Sequence, residues 1–304
     1  MDVQRLRVLR ELADRGSVTA VAAALSYTPS AISQQLKALA EEVGTPVTEP
    51  AGRGLRLTDA GVVLVEQAEE VLAAMVRTQA AVDALHSEPA GDVTVSFFPS
   101  GARMLLPGLL TRFATGPIRI RAAVVDMTPG EVPALTADSE VVVTHYDELA
   151  PNPAHDARRW VSVPLLREPL DVVLPPGHRL ARRRGLRLGD LAGEDWISVN
   201  IGWPVDDVLR TIALRTGAQP RVVHRINDFA VTEELVAAGL GIALLPRYST
   251  DDRGGRRLAR RPLRGVRAAR RVEAVSRAAT AARPAVAAVL EALKAEADAV
   301  VARS

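Results

Sequence analysis

The stretch Ser26–Lys37, SYTPSAISQQLK, predicts the start of a helix with two different faces. Thr28 suits an N-cap because its hydroxyl can accept a hydrogen bond from an unpaired amide of the first turn. Pro29 suits the next position because its fixed φ is helical and its missing N–H would have no partner there. Gly44 is a typical helix stop. The apolar residues between these signals recur at spacings of four, three and four, so we expect them to face inward: Ile32, Leu36, Leu39 and Val43.

The opposite face of this helix is unusual for a solvated surface. Such surfaces are usually rich in Glu, Lys and Arg, which are good helix formers, whereas this face has two serines in its first two turns. Ser, Gln and Lys side chains can bond base edges or phosphates when a helix lies in the major groove. On these residues alone, a neutral surface and a nucleic-acid contact both remain open. The polar residues of this face are Ser30, Ser33, Gln34 and Lys37.

The sequence before this helix predicts two shorter helices. The first ends at Gly16, and Ser17 caps a second that runs to Leu25. The three alanines at 22–24 leave little side chain between the second helix and its neighbour, as the close crossing of a helix-turn-helix requires. After the third helix, TPVTEPAGRGLRLT predicts two short strands around a turn. These strands would form a wing with Arg53 at its tip.

The segment GSVTAVAAALSYTPSAISQQLKALAEEVGTPV, followed by RGLRLTDAG, resembles the amino-terminal winged helix-turn-helix of LysR-type transcriptional regulators. The resemblance covers residues 2 to about 86 closely, and the rest of the chain by length and layout. It implies a DNA-binding domain over residues 1–58, with double-stranded promoter DNA as the partner. The expected DNA-binding residues are Thr28, Pro29, Ser30, Ser33, Gln34, Lys37 and Arg53.

The sequence departs from the family pattern at three positions. The family usually has an acidic residue where Ala40 stands, an aromatic residue where Thr48 stands and an arginine where Pro50 stands. Without that arginine, DNA affinity should depend more on the remaining basic side chains and on helix termini. Residues 1–58 carry seven basic against six acidic residues, so there is no overall basic footprint. The prediction of DNA binding therefore rests on helix geometry.

The composition of the 304 residues limits the class of protein. The chain is long enough for two or three domains, and no apolar run approaches the roughly 20 residues needed to span a bilayer. The first residues, MDVQRLRVLR, lack the hydrophobic region of a secretion signal, so we expect a cytoplasmic protein. There is no cysteine, which excludes disulfides and thiolate metal sites.

Residues 59–88 predict a long linker helix. Periodic apolar positions continue nearly unbroken from Asp59 to His86, a length of about 40 Å at 1.5 Å per residue. So long and exposed a helix needs a partner helix, and a twofold dimer supplies one together with a second recognition helix. The resemblance implies the same role, often followed by assembly into tetramers, so we expect a homodimer or homotetramer. The apolar positions include Val62, Val65, Leu72, Met75 and Val82.

The rest of the chain, residues 92–304, alternates between strand and helix patterns. Strand-like segments such as DVTVSFF, WVSVPLL, LDVVLP and GIALLP, with helices predicted over 204–216 and 229–238, indicate an α/β body with mainly parallel sheets. The Arg-rich run 253–271 is expected to form a solvated strand face.

The family resemblance implies that this α/β body is a two-lobed effector-binding domain like periplasmic binding proteins. The first lobe would comprise about 92–163 and 266–304, and the second about 164–265. The chain would therefore cross between the lobes twice.

Ligands of open α/β sheets bind where strand ends meet helix starts. Four such ends can be read, at 99–101, 127–129, 199–202 and 227–229. By resemblance, the first two line one wall of the interlobe cleft and the last two the other wall. We expect a small anionic or polar effector there, although the Ser and Thr side chains could also be simple helix caps. The expected effector-binding residues are Ser100, Gly101, Thr128, Asn200 and Phe229.

No pattern for catalysis, a metal or a cofactor accompanies this cleft. The segment FPSGA lacks the glycine of a nucleophile elbow, no phosphate-binding P-loop occurs, and the histidines are scattered. The expected function is therefore sequence-specific promoter binding modulated by an effector, in a protein that is not an enzyme. Two alternatives remain open: an effector-independent, constitutive DNA-binding regulator, and a solute-binding protein that uses only the two-lobed body.

Overall fold

The computed structural model describes residues 1–52, 54–83, 88–150, 159–217 and 220–303. The chain begins with three helices and a hairpin, whose two strands pair antiparallel. This is the winged helix-turn-helix that the sequence predicts. Its elements are α1 (Val3–Arg15), α2 (Val18–Leu25), α3 (Pro29–Val43), β1 (Thr48–Ala51) and β2 (Gly54–Leu57).

The ends of these helices lie at the predicted capping residues. Ser17 and Thr28 each accept a hydrogen bond from the backbone amide three residues ahead, at 3.1 and 3.2 Å. Gly16 and Gly44 end α1 and α3 with φ of 70° and 78°, a left-handed conformation that favours glycine. Local capping chemistry therefore determines the boundaries of α3.

Two details of the predicted packing are wrong. Ala22 is buried, but Ala23 and Ala24 are exposed, so a single small side chain of this run lies in the core of the domain. Val43 is 37% exposed because it is the last residue of α3 and lies beyond the core. The rest of the apolar face of α3 is buried as expected, namely Ile32, Leu36 and Leu39.

Helix α4 (Asp59–Asp83) follows the wing. Gly61 lets its first turn approach the hairpin, since a Cβ there would lie 2.0 Å from the carbonyl oxygen of Val47. Val65 and Leu72 face the interior of the chain and are 1% and 3% exposed. The predicted helix continues to 86, but residues 84–87 lie outside the described residues.

The α/β body opens with three strands that pair in parallel, with β3 between β4 and β5. The elements of this first part are β3 (Gly91–Phe97), α5 (Pro99–Arg112), β4 (Ile118–Val124), α6 (Val132–Leu135) and β5 (Val141–Asp147). The elements that follow are β6 (Trp160–Leu174), β7 (Asp195–Ser198), α7 (Pro204–Thr216), β8 (Arg221–Arg225), α8 (Phe229–Ala237), β9 (Ile242–Pro246), β10 (Ala259–Pro262), β11 (Ala269–Arg277), α9 (Ala278–Ala281) and α10 (Pro284–Ala302).

Strand β6 is one 15-residue strand where the sequence predicts two. The polar residues between its two apolar runs suggest a break. The backbone nevertheless stays extended, because β11 pairs with the first part of β6 and β9 and β10 pair with the second part. Strands β6 and β11 are antiparallel to their neighbours, so the mainly parallel sheet of the prediction is a mixed one.

Strands β6 and β11 connect two lobes with separate apolar cores. The first lobe contains β3, β4, β5, α5 and α10, and its core includes Leu105 and Val289. The second lobe contains β7, β8, β9, α7 and α8, and its core includes Trp196 and Leu244. In the described part of the chain, the strand order is β4-β3-β5-β11-β6-β9-β7-β8, with β10 on β6. No helix of this part is long and apolar enough to cross a membrane.

Candidate functional site

The polar face of α3 is exposed along its whole length. The Lys37 side chain retains 81% of its accessible surface and lies 4.0 Å from Glu41, one turn further on. The hydroxyl of Ser33 donates to the carbonyl oxygen of Pro29 at 3.0 Å, so its lone pairs can still accept a hydrogen bond. The exposed residues at the start and along this face are Thr28, Pro29, Ser30, Ser33, Gln34 and Lys37.

The hairpin adds a basic residue that the sequence analysis did not single out. Arg53 lies outside the described residues. On the neighbouring strand β2, the Arg56 side chain is 69% exposed and its Nη2 lies 2.5 Å from Glu49. Tyr27, directly before the N-cap of α3, is 45% exposed. The strand alternation around the wing is the signal that could have identified Arg56.

A cavity of about 190 Å³ lies between the two lobes of the α/β body. This volume is smaller than that of the pockets that hold drug-sized ligands, so the ligand that fits it is a smaller molecule. The first lobe contributes residues at the start of α5 and from β5, and the second contributes the starts of α7 and α8. The lining residues include Phe98, Ser100, Arg103, Asp126, His145, Trp203, Asn227, Phe229, Ser249 and Arg270.

A buried ion pair forms one wall of this cavity. Arg270 of β11 and Glu168 of β6 are 1% and 0% exposed, and the Nε and Nη2 atoms of Arg270 lie 2.8 and 2.6 Å from Oε2 of Glu168. Arg270 Nη2 also donates to the Ser100 hydroxyl at 2.9 Å. The other oxygen of Glu168 accepts the amides of Tyr248 and Ser249. Glu168 is thus fully satisfied, whereas Nη1 of Arg270 is buried without a hydrogen-bond partner.

Aromatic rings surround the same guanidinium. Its central carbon lies 4.9 Å from the ring centre of Phe98 and 6.0 Å from that of Phe229. His145 packs edge-on against Phe98, with ring centres 4.3 Å apart. Burial, together with the positive charge of Arg270, holds the pKa of His145 well below its usual value, so this imidazole is neutral. This part of the cavity wall therefore combines the buried cation of Arg270 with aromatic rings.

Of the helices that begin at this cavity, α5 has an amino-terminal end without a side-chain cap. Helix α5 has no side-chain N-cap and no acidic residue in its first turn, and it begins at Pro99, next to Ser100. In contrast, α7 carries two aspartates in its first turn, and Asp228 caps α8. Since free amides and the helix dipole favour negative charge, the α5 end of the cavity is the one suited to an anion.

Two polar contacts join the lobes across the cleft. The side-chain amide of Asn227 donates to Asp126 at 3.3 Å, and Arg103 of α5 lies 3.3 Å from Glu233 of α8. Each pair has one member in each lobe. A ligand in the cavity would therefore touch groups whose separation depends on the angle between the lobes.

The structure brings only part of the predicted effector site together. Ser100 and Phe229 line the cavity. Gly101 is buried and does not line the cavity. A Cβ at this position would lie 2.6 Å from the ring of Phe98. Thr128 does not line the cavity, since its hydroxyl donates to Glu131 at 2.7 Å in a local cap. Asn200 is exposed outside it and donates its backbone amide to Asn227. The contacts of Thr128 in the structure are those of a local helix cap.

The sequence analysis missed Arg270 and expected the Arg-rich run to be solvated. Successive side chains of a strand point to opposite faces, so adjacent arginines in β11 cannot share one environment. Arg271 is exposed, and Arg270 is buried. The alternation of the strand indicates that one of the two arginines is buried. To predict which one, the position of Glu168 on the neighbouring strand would have to be known.

Comparison with known proteins identifies the class of this chain. Residues 3–62 match the family model described as bacterial regulatory helix-turn-helix protein, lysR family. Residues 86–298 match the model of the LysR substrate binding domain. The chain belongs to the LysR family of bacterial transcriptional regulators, which are DNA-binding proteins and not enzymes. In the described part of the chain, no cluster of His, Asp and Glu could hold a metal ion.

Individual relatives are distant in sequence. The chain is 24% identical over 247 residues to the uncharacterized HTH-type transcriptional regulator YybE of Bacillus subtilis, covering 81% of this chain and 82% of the relative. It is 23% identical over 253 residues to the hydrogen peroxide-inducible genes activator of Pectobacterium carotovorum, covering 82% and 81%.

Solved structures share the fold along nearly the whole chain. A full-length OxyR variant from Pseudomonas aeruginosa superposes with a TM-score of 0.67 at 20% identity, covering 98% of this chain and 94% of that one. Full-length CbnR in complex with its target DNA superposes with a TM-score of 0.51 at 20% identity, covering 98% and 100%.

Proposed function

We propose that the exposed face of α3 reads base edges of a promoter site, and that a small anionic metabolite in the interlobe cavity modulates this binding. The observation that carries the effector proposal is the buried Nη1 of Arg270, which has no hydrogen-bond partner. An unpaired buried donor is costly. An acidic group of a ligand, held between this nitrogen and the free amides of α5, would satisfy it.

The proposed contacts with DNA follow from the position of each side chain on α3 and the wing. Ser33 and Gln34 lie on the exposed face one turn inside the helix, where side chains of a recognition helix reach base edges. Lys37, together with Arg53 and Arg56 of the wing, would bind phosphates. The start of the helix at Thr28, Pro29 and Ser30 would lie against the DNA backbone.

We propose that α4 forms a dimer through the apolar residues that it exposes to solvent. Val65 and Leu72 are buried within the chain and cannot serve this role. Val71, Met75 and Val82 are 42%, 51% and 50% exposed. With Thr78 they recur at spacings of four, three and four, which places them on one stripe of the helix, as in a coiled-coil seam. A second copy of α4 would cover this stripe.

The proposed effector binds without covalent chemistry. Some relatives of this chain are named for induction by hydrogen peroxide. Peroxide sensing through a thiol requires a cysteine, because the thiolate is the group oxidised. This chain has no cysteine at any position. Its response must therefore come from another ligand chemistry, and the cavity around Arg270 favours an anion.

A gel-shift titration with the duplex upstream of the protein's own gene tests DNA recognition. Gln34→Ala should weaken binding to this duplex by about 1 to 3 kcal/mol and leave binding to a random duplex unchanged, because a lost base contact affects one sequence only. Lys37→Ala should weaken both and reduce the salt slope by about one unit. Gln4→Ala, on α1, is the matched control and should bind like the wild type.

Equal losses on both duplexes for Gln34→Ala would show that this side chain does not read bases. If the wild type bound the upstream and random duplexes equally, sequence-specific regulation at that site would be refuted.

A further inference from the structure

A cluster of charged side chains joins the DNA-binding domain to the effector-binding domain at a distance from the cleft. Arg277, at the end of β11, contacts two carboxylates of α1. Its Nη1 lies 2.8 Å from Oε1 of Glu11, and its Nη2 lies 2.6 Å from Oδ2 of Asp14. Arg159, directly before β6, donates to Oδ1 of Asp14 at 2.5 Å. The side chains of Glu11, Asp14 and Arg277 are 6%, 2% and 6% exposed, so the contact is almost dry.

Further charges surround this contact. Arg10 lies 2.9 Å from Glu11 and 3.7 Å from Glu69 of α4, and Arg15 lies 2.8 Å from Asp138 of the first lobe. In these residues, the DNA-binding domain and α4 carry one net negative charge, and the effector-binding domain carries one net positive charge. We call this set the interdomain cluster: Arg10, Glu11, Asp14, Arg15, Glu69, Asp138, Arg159 and Arg277.

The chemistry of the interdomain cluster suits a contact that forms and breaks. Buried ion pairs gain little over the hydrated ions, because dehydration of the charges offsets their attraction. Apolar surface, in contrast, holds domains together strongly. The apolar contact beside the cluster is small and involves Leu72 and Ala73 of α4, Ala279 of α9 and the half-buried Val3. Separation of the two domains would hydrate all the charges while exposing little apolar surface.

Strands β6 and β11 connect this cluster with the cleft. Arg270 lies opposite Glu168 in the antiparallel register, and seven residues further along β11, Arg277 lies opposite Trp160. Seven residues of strand span about 23 Å. The two adjacent strands thus carry the cavity's ion pair at one end and arginines of the cluster at the other. Strand β11 is also paired with β5 on its other edge, so it should move as a rigid unit.

We propose that the interdomain cluster is an ionic latch that fixes α1 on the effector-binding domain, and that strands β6 and β11 transmit changes in the cavity to it. This inference rests on the proposed regulatory function and describes its route. A ligand that moves Arg270 shifts Arg277 against Glu11 and Asp14, and thereby changes the orientation of the DNA-binding domain. Arg277 acts here as a positioning residue.

Amide hydrogen exchange of the full-length protein, read by peptide, tests the latch. Arg277→Met removes the cation that the buried carboxylates of Glu11 and Asp14 share, so exchange of the α1 amides should accelerate about a hundredfold. Arg271→Met is the matched control, since this arginine is on the same strand but exposed. Equal α1 exchange in the two variants would overturn the latch. Should Arg277→Met not fold, Asp138→Asn, at the 72% exposed edge of the cluster, should give a smaller acceleration in the same peptides.

A double-variant cycle tests transmission from the cavity. Ser100→Trp places a large side chain beside Arg270 and should change α1 exchange at least threefold. In the Arg277→Met background the same substitution should have no effect on α1, because the connection is already broken. Exchange of β7 and β9 in the second lobe should stay constant throughout. An equal effect of Ser100→Trp in both backgrounds, or none in either, would refute the transmission through Arg277.

None of these measurements requires DNA or an effector. Failure to find an effector in the cavity would therefore leave the latch standing, and loss of the latch would leave the DNA-binding face of α3 unaffected.

Discussion

The fold strongly shifts the ionisation of Glu11. Burial by itself raises the pKa of a carboxyl group. Here the guanidinium of Arg277, with that of Arg10, outweighs burial and lowers the pKa of Glu11 from its usual value of 4.5 to about 2. Burial dominates for the neighbouring Asp14, whose pKa is raised despite Arg277 and Arg159. Protonation of Glu11 in acid therefore destabilises the fold, whereas protonation of Asp14 stabilises it.

The lowered pKa of Glu11 predicts a pH-dependent stability. The ionised group stabilises the fold fully above pH 4.5, and this contribution disappears as pH falls towards 2. Between pH 6 and pH 3, the free energy of unfolding of the wild type should fall by about 2 kcal/mol more than that of Glu11→Gln. Urea unfolding at both pH values measures this difference. Glu41→Gln, with a 69% exposed side chain, is the control. An equal fall in wild type and Glu11→Gln would contradict the ion pairing of Glu11.

Residues of this kind explain where sequence reasoning ends. The caps at Ser17 and Thr28 act on amides three residues away, so their role is legible in a short stretch of sequence. Glu11 and Arg277 are 266 residues apart, and Glu168 and Arg270 are 102 apart. A buried ion pair between such distant positions leaves no local pattern, and each arginine alone is typical of a solvated strand.

At the scale of elements, α4 shows how an amphipathic pattern can be read correctly while its faces are misassigned. The sequence predicts the helix, but its apolar residues occupy two faces. One face packs inside the chain through Val65 and Leu72, and the other exposes Val71 and Met75. Periodicity identifies apolar positions without showing which neighbour covers them. A helix with two apolar faces needs two partners, and the described chain provides one.

The exposed stripe of α4 predicts the effect of two substitutions on oligomeric state. The double variant Val71→Lys and Met75→Lys should sediment as a monomer and lose specific DNA binding, because a single half-site contributes too little affinity. The matched control is Val63→Lys with Val124→Lys. These valines are 57% and 55% exposed and lie off the stripe. Sedimentation velocity at micromolar concentration distinguishes the species. A wild type that sediments as a monomer would contradict this assignment of α4.

At the scale of the whole molecule, the lobes, the cavity and the DNA-binding domain form one connected system. Two polar contacts link the lobes directly, and strands β6 and β11 run from the cavity wall to α1. The sequence predicted the two lobes and a ligand between them. It also expected Thr128 in the site, whereas in the structure Thr128 bonds to Glu131 and does not line the cavity. A Thr before a short helix gives the same sequence pattern whether it caps that helix or binds a ligand.

This contrast between Ser100 and Thr128 gives the last prediction. In a thermal-shift screen of small carboxylates, a ligand at a hundred times its Kd should stabilise the wild type by about 2.7 kcal/mol, a shift of about 5 °C. Ser100→Ala should require more of that ligand, since the hydroxyl beside Arg270 is lost, and Ser100→Trp should abolish the shift by filling the cavity. Thr128→Ala should respond like the wild type, because its hydroxyl is bonded to Glu131 outside the cavity.

A full shift in Ser100→Trp would place the effector site elsewhere. If the screen, extended to neutral and cationic metabolites, gave no shift at all, the result would favour a constitutive regulator, because a ligand changes an equilibrium only through its differential affinity for the two states.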